Sequence, residues 1–237
     1  MPRTVPSADK TSAVNSFYHL AQIDLRARPC RGLACFAARG AAPQQWQQAL
    51  ASDPPVYCYG QCFSGPASGA EYSRPAIAAV ARHTVLLSNL LAGGVRDIQQ
   101  YQERGGGRAL MQTLTINAPQ KIIAEISASG LRGRGGAGFP TGRKWQLVKD
   151  AVAPQKYVIA NADEGDPGAF SDRLLLEDDP FMLIEALIIA GLTVGASRGF
   201  IYLRKEYQRA ALILRSALQQ AYASGWLGNN IFGSPQR

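Results

Sequence analysis

The sequence has no long apolar run, no block of like charge and few cysteines, and each shortage removes a class of protein. The longest apolar stretch, 181–196, is interrupted by Glu185. It falls short of the roughly 20 apolar residues that a spanning helix needs, so it reads as a buried helix and no direct membrane insertion is expected. Residues 1–14 have neither an apolar core nor a small-residue cleavage pattern, so no secretory signal is expected and the chain reads as cytoplasmic. Charged residues make up only 18% of the 237, and the Lys and Arg behind the formal charge of +8 are scattered. That pattern argues against a nucleic-acid partner and suits anionic cofactors or acidic partner subunits. Four cysteines in such a chain point to ligands or free thiols rather than disulfides.

What is present falls into modules. All four cysteines precede residue 63, and the glycine-rich run follows residue 129. A small-residue turn region at 64–75 and a break at Gly105-Gly106-Gly107 divide the chain into a module at 1–75, a connector at 76–110 with a short helix over 95–103, and a larger module at 111–237. The larger module reads as α/β. Ile122, Ile123, Ile126 and Leu131 predict an amphipathic helix over 118–130. Residues 157–160 and 200–203 read as strands, and Asp179-Pro180 opens a helix running to about Gly191. A long helix over 206–224 carries Ala210, Leu214, Ala217 and Ala221 on one face and ends at Gly225. Strands alternating with helices predict a largely parallel, covered sheet.

Two segments carry candidate chemistry. In the first, Gly133, Gly135, Gly136 and Gly138 lack side chains, so a flat ligand or a phosphate can approach the backbone, whose N–H groups then face the anion. Arg134, Arg143 and Lys144 add positive charge, Ala137 is small, and Phe139 offers an aromatic face. Gly133, Gly135 and Gly138 satisfy G-x-G-x-x-G, but a Rossmann fingerprint follows a strand, and here a helix precedes the loop. The bland alternative is a flexible surface loop. In the second segment, Asn161, Asp163, Glu164 and Asp166 lie just past a strand, where open α/β sheets bind ligands, and can hydrogen-bond ribose, ribityl or flavin groups. The alternative is an acidic turn that caps the next helix.

Four residues lie between Cys30 and Cys35, and three between Cys58 and Cys62. Two pairs on turn-like segments suit four thiolate ligands to an iron–sulfur cluster, equally zinc, or else are unrelated free thiols.

Together the glycine loop and the acidic turn resemble the flavin-containing NADH dehydrogenase subunit of respiratory complex I and its relatives in NAD-reducing hydrogenases and NAD-dependent formate dehydrogenases. The similar stretches are 131–145, 157–173, 183–195, 200–207 and 225–234, in that order. The resemblance implies FMN held by the loop and the turn, with NADH stacked on it. Gly133, Arg134, Gly135, Gly136, Ala137 and Gly138 would give backbone contacts, Phe139 would stack, and Lys144 would pair with a phosphate or ribose. Asn161, Asp163 and Glu164 would hydrogen-bond FMN. Asp166 stands where complex I members carry Glu, a departure that favours the hydrogenase and formate dehydrogenase branch. The implied chemistry is hydride transfer from NADH to FMN and single-electron release to iron–sulfur centres, with binding groups and no catalytic nucleophile.

Ser16-Phe17-Tyr18 and Cys58-Tyr-Gly-Gln-Cys62 resemble the thioredoxin-like [2Fe-2S] subunit that partners this flavoprotein, which implies a cluster on Cys30, Cys35, Cys58 and Cys62. Only 22 residues separate Cys35 from Cys58, shorter than that family's interval, and the domain's helical N-terminal part is curtailed. The expected fold is therefore α/β: a short thioredoxin-like domain, then the front part of a Rossmann-like FMN/NADH-binding domain. The family's downstream Gly-Glu-Glu-Thr segment and the cysteines of its [4Fe-4S] cluster are absent from this sequence. C-terminal truncation is expected on that ground, with an exposed apolar face where the missing strands would pack. The expected partners are NADH and the other subunits of an NADH dehydrogenase, hydrogenase or formate dehydrogenase complex, which would bring the chain to the inner face of a membrane only through that complex. The alternatives are a non-catalytic metal-binding interaction module or a gene remnant.

Overall fold

The computed structural model describes residues 28–40, 42–52, 56, 59, 61–68, 74–166, 169–205 and 207–236. Cys58 and the Ser16-Phe17-Tyr18 segment lie outside the described residues. The chain forms two compact units. One comprises Met1–Ala78, Asp163–Arg173 and Leu203–Gln208, and the other Ala79–Ala162, Leu174–Tyr202 and Arg209–Arg237.

In the first unit, α1 spans Leu33–Arg39 and α2 spans Pro43–Ala51. Proline at its first turn preorganises α2. The two helices pack on each other, with Phe36 and Trp46 edge to face at 4.7 Å. Arg31 closes the C-terminal end of α2 by donating to the carbonyls of Ala49 (2.8 Å), Leu50 (2.6 Å) and Ser52, placing a cation where the helix dipole is negative. Its small core is Cys30, Cys35 and Ala67, with Tyr59 against it. Among the described residues, extended backbone in this unit pairs only as isolated bridges, Cys30 with Val56 and Pro29 with Ser68.

In the second unit, α3 (Ser88–Leu91), α4 (Ile98–Glu103), α5 (Arg108–Ile116), α6 (Pro119–Ala128) and α7 (Thr141–Asp150) precede strand β1 (Tyr157–Ala162). The chain continues through α8 (Ser171–Asp178), α9 (Pro180–Val194), strand β2 (Arg198–Leu203) and α10 (Gln208–Ala223). The stretch expected to be a connector contributes Val95, Ile98, Tyr101 and Leu110 to the main core, with Phe181, Ile184, Ile188, Ala217, Ala221 and Trp226. Helix α10 buries the alanine and leucine face read from its periodicity: Ala210, Leu214, Ala217 and Ala221.

Helix α9 is capped by the Asp179 carboxylate, which accepts from the Met182 N–H, and ends at Gly195 in the left-handed region (φ 79°). It carries buried residues around its circumference, as the apolar stretch predicts. Glu185, the one charge inside it, is buried yet satisfied. Its carboxylate accepts from the Tyr101 hydroxyl (2.7 Å) and from the N–H groups of Gly107 (2.8 Å) and Leu110 (2.9 Å), so one helix's interior caps the start of α5. Burial and this carboxylate push the Tyr101 hydroxyl upward. The glycine triplet serves this junction: a Cβ on Gly106 would lie 2.1 Å from the Tyr101 ring. No described helix is long and apolar enough to cross a membrane.

The sheet corrects one expectation. It is parallel, but among the described residues it has two strands and is covered on one face, where α9 packs against β1. The other face is apolar and open, with Tyr157, Ile159, Phe200 and Tyr202 each about half exposed or more and the Tyr157 and Phe200 rings 5.8 Å apart. Strands of a parallel sheet usually bury both faces, which is why their sequence suggested full cover.

Candidate functional site

The glycine loop is built by the helices on either side of it, within the second unit. Helix α6 ends at Ala128, Gly130 turns the chain in the left-handed region (φ 68°), and the loop leads directly into α7. As the sequence indicated, a helix and not a strand precedes it, so this is no Rossmann turn. Its base is closed by two backbone hydrogen bonds, Gly133 N–H to the Phe139 carbonyl and Thr141 N–H to the Leu131 carbonyl, both 2.9 Å. Arg132 donates to the Gly138 carbonyl at 2.8 Å. The tip, Arg134, Gly135, Gly136 and Ala137, is exposed.

The glycines of this segment divide by role. A Cβ at Gly135, Gly136 or Gly138 would meet nothing within 4 Å, so the backbone there faces open space. Gly136 (φ 98°) and Gly138 (φ 58°) also hold conformations that favour glycine. Gly142 is different: its Cβ would sit 2.0 Å from Ser127 Oγ and 2.9 Å from Ser127 Cα, so it is the contact through which α6 and α7 approach.

Charge gathers at the same place. A Cβ on Gly133 would be 3.5 Å from Lys144 Nζ, which places that ammonium beside the loop. Arg143 lies over the Phe139 ring at 5.7 Å, leaving the ring partly exposed. No side chain caps the N-terminus of α7. Its first turn thus adds the positive end of a helix dipole to Lys144, Arg143 and Arg134, an arrangement suited to phosphate. This cradle, which side chains would fill, fits a dinucleotide or flavin phosphate.

Asn161 lies on β1 itself, on the exposed face with Tyr157 and Ile159, because the strand extends to Ala162. Asp163 and Asp166 are exposed. Glu164 is the centre of a network within the first unit. Its carboxylate accepts from Ser171 Oγ (2.8 Å), the Asp172 N–H (3.2 Å), the Arg173 N–H (3.5 Å) and the Tyr207 hydroxyl (2.9 Å), while Arg204 donates to its carbonyl. Burial opposes its ionisation, but these donors outweigh it and hold the Glu164 carboxyl below its ordinary value. Burial, then the Glu164 charge, push Asp172 upward. Tyr207 is buried, with Arg173 and Arg204 guanidinium groups 5.6 and 5.9 Å from its ring. Burial and Glu164 raise its hydroxyl pKa. Sequence reasoning missed Tyr207 and Arg204; their only signal was a run of Arg, Lys and Tyr after β2.

Of the cysteines, Cys30 and Cys35 are buried side by side and hydrogen-bonded to each other. Cys30 Sγ accepts from the Gly32 N–H at 3.3 Å and Cys35 Sγ from the Ala67 N–H at 3.4 Å. The hydrogen bond from Cys30, opposed by burial and helped by Ala67 and the Arg39 charge, brings the Cys35 thiol down to about 6. Cys62 opens a single 3-10 turn, Cys62–Ser64, in the same unit. Among the described residues no three His, Cys, Asp or Glu groups come together to hold a metal. A separate hollow of about 400 Å³, lined by Gln102, Gly107, Arg108, Met111 and Phe232 among others, contains none of these residues.

Both segments lie within a longer stretch that known proteins share. Residues 126–233 match the Nuo51 FMN-binding domain. That stretch, which holds the whole glycine loop and acidic turn, is similar to this family. The chain is 44% identical over 165 residues to an NADH-quinone oxidoreductase subunit of Aquifex aeolicus, covering 68% of this chain and 38% of that protein. It is 47% identical over 137 residues to the NADP-reducing hydrogenase subunit HndC of Solidesulfovibrio fructosivorans, covering 58% and 28%. The structure is similar to a chain of an NAD+-reducing [NiFe]-hydrogenase in the air-oxidized state, with a TM-score of 0.64, 25% identity, and coverage of 93% of this chain and 45% of that one. The chain thus spans less than half the length of each of these relatives.

Proposed function

We propose that this chain is the FMN- and NADH-binding part of an NADH-oxidising flavoprotein subunit that feeds electrons to iron–sulfur centres of a larger complex. The observation that carries the reading is the glycine loop: open space over Gly135, Gly136 and Gly138, beside Lys144 and the uncapped start of α7. Backbone N–H groups and Lys144 bind phosphate, Gly133, Arg134, Gly135, Gly136, Ala137 and Gly138 let a flat ring approach, and the free part of Phe139 stacks on the nucleotide. Asn161, Asp163 and Asp166 serve as hydrogen-bonding groups for FMN. Glu164 acts through shape, since its acceptors are taken by Ser171, Asp172, Arg173 and Tyr207.

FMN, when bound, supplies the chemistry, taking a hydride from NADH and passing electrons on singly. Cys30, Cys35, Cys58 and Cys62 are the proposed ligands of a [2Fe-2S] cluster. The buried, hydrogen-bonded Cys30 and Cys35 thiols suit one pair of its ligands. The partners are other subunits of an NADH dehydrogenase, hydrogenase or formate dehydrogenase complex. The chain is loaded with FMN and assayed for NADH-dependent reduction of ferricyanide. Reduction above the flavin-free control supports the reading, and a chain that retains no FMN contradicts it.

A further inference from the structure

The hollow lined by α4, α5 and the 3-10 turn Ile231–Gly233 lies wholly in the second unit and contains none of the groups given to the flavin. Its walls combine two chemistries. Met111 and Phe232 supply apolar surface, while Gln102, Arg108 and Gln112 supply hydrogen-bond donors. None of these three polar side chains has a hydrogen-bond or ion-pair partner among the described residues. Arg108 folds back over the glycine turn: a Cβ on Gly105 would lie 3.4 Å from its guanidinium carbon. It also opens α5, where the helix dipole disfavours a cation, and that first turn carries no acidic residue. Trp226 stands behind the wall. A Cβ on Gly107 would be 2.9 Å from Trp226 Cζ2, and the Trp226 and Phe232 rings are 5.7 Å apart. Trp226 is fully buried, yet its indole N–H has no acceptor among the described residues, a deficit that calls for a bound acceptor or water. Phe232 is held in the left-handed region (φ 50°, ψ 36°), its N–H donating to the Gly225 carbonyl at 2.8 Å. Non-glycine residues kept in that conformation cluster at ligand sites.

From this combination we propose that the hollow is a binding site for a small aromatic carboxylate. Its volume of about 400 Å³ equals that of about a dozen waters at about 30 Å³ each, which suits an acid built on one ring. The ring packs on the Met111 thioether and on Phe232, partners that favour an aromatic body over an aliphatic one. The carboxylate pairs with Arg108, whose planar fork matches two oxygens, and the amides of Gln102 and Gln112 offer further donors. A neutral ligand leaves Arg108 unpaired, and an acid without a ring leaves Met111 and Phe232 to water. Binding here needs neither FMN nor the cysteines.

The test titrates the full chain into para-fluorophenylacetate and, separately, into the matching para-fluorophenyl ethanol, which keeps the ring without the charge, and follows the fluorine NMR line width. Wild type is expected to give saturable broadening with the acid and to bind the alcohol at least about tenfold more weakly. Arg108→Gln is expected to bind the acid at least about tenfold more weakly than wild type does, and no better than it binds the alcohol. Met111→Ala is expected to weaken both probes at least about threefold. Arg108 and Met111 are exposed, so unchanged unfolding midpoints are expected for both variants. No saturable broadening with wild type overturns the inference, as does equal binding of acid and alcohol. An Arg108→Gln chain that binds the acid as wild type does also overturns it, and so does a Met111→Ala chain with undiminished affinity for both probes. The wild-type comparison of acid with alcohol decides the matter if a variant does not fold. A chain that binds the acid but retains no FMN keeps this site and loses the flavin reading.

Discussion

The glycine loop at 133–139 and the acidic turn at 163–166 are both short, polar and adjacent to regular structure, yet they are organised in opposite ways. The loop spends few of its own groups on itself. Its base is tied by Gly133 and Phe139, its tip faces open space, and the neighbouring cations have no acid partner among the described residues. In the turn, Glu164 is saturated by protein donors from α8 and Tyr207. A segment with unspent backbone and charge is prepared for a ligand; a carboxylate surrounded by donors holds its own chain in shape.

The contrast can be broken by substitution, most severely at the glycine that belongs to packing. Gly142→Ala drives a methyl into Ser127, including its backbone, and is expected to cost about 3 kcal/mol in urea unfolding. A loss under about 0.5 kcal/mol would remove Gly142 from the α6–α7 contact. Next is Glu164→Ala, which removes the acceptor of the Ser171 hydroxyl and the Asp172 N–H and the nearer acceptor of the Tyr207 hydroxyl, and is expected to cost about 2 kcal/mol. A neutral outcome would make Glu164 a free ligand group after all.

A smaller, pH-resolved effect is expected for Glu164→Gln. Because the folded carboxyl sits below its ordinary value, its stabilisation is present above the unfolded pKa of about 4.3 and is lost as pH falls through the lowered folded value. Wild type should therefore exceed Glu164→Gln in unfolding midpoint at pH 7, and the gap should narrow as the pH drops below 4. A gap that widens in acid has the wrong sign for this account. Smallest in stability is Gly135→Ala, expected within about 0.5 kcal/mol of wild type, since its Cβ meets nothing and its φ is not in the left-handed region.

The sequence was informative where periodicity and burial coincide. The inner face of α10, the start of α9 at Asp179, and the cores of β1 and β2 all follow from local pattern, whereas α9 runs past the expected end near Gly191 to Gly195. It was silent where a partner distant in the chain decides the role. Glu185 looked like an interruption of an apolar helix and is the cap of α5. Gly142, which no local pattern singles out, is a helix contact. Helix α7 was hidden because Pro140 offers no side-chain cap and the helix's polar composition leaves few apolar positions to count. The resemblance located the candidate site segments but could not tell a ligand-facing group from a structural one, which depends on donors brought in from Ser171 and Tyr207.

The most direct measurement is a titration of the full chain with FMN, following quenching of flavin fluorescence, for wild type, Gly135→Ala and Lys144→Ala. The loop account predicts saturable binding by wild type, weakened at least about tenfold, or 1.4 kcal/mol, in each variant while the unfolding midpoints stay unchanged. Saturable binding of equal strength in all three, or none in wild type, would contradict it.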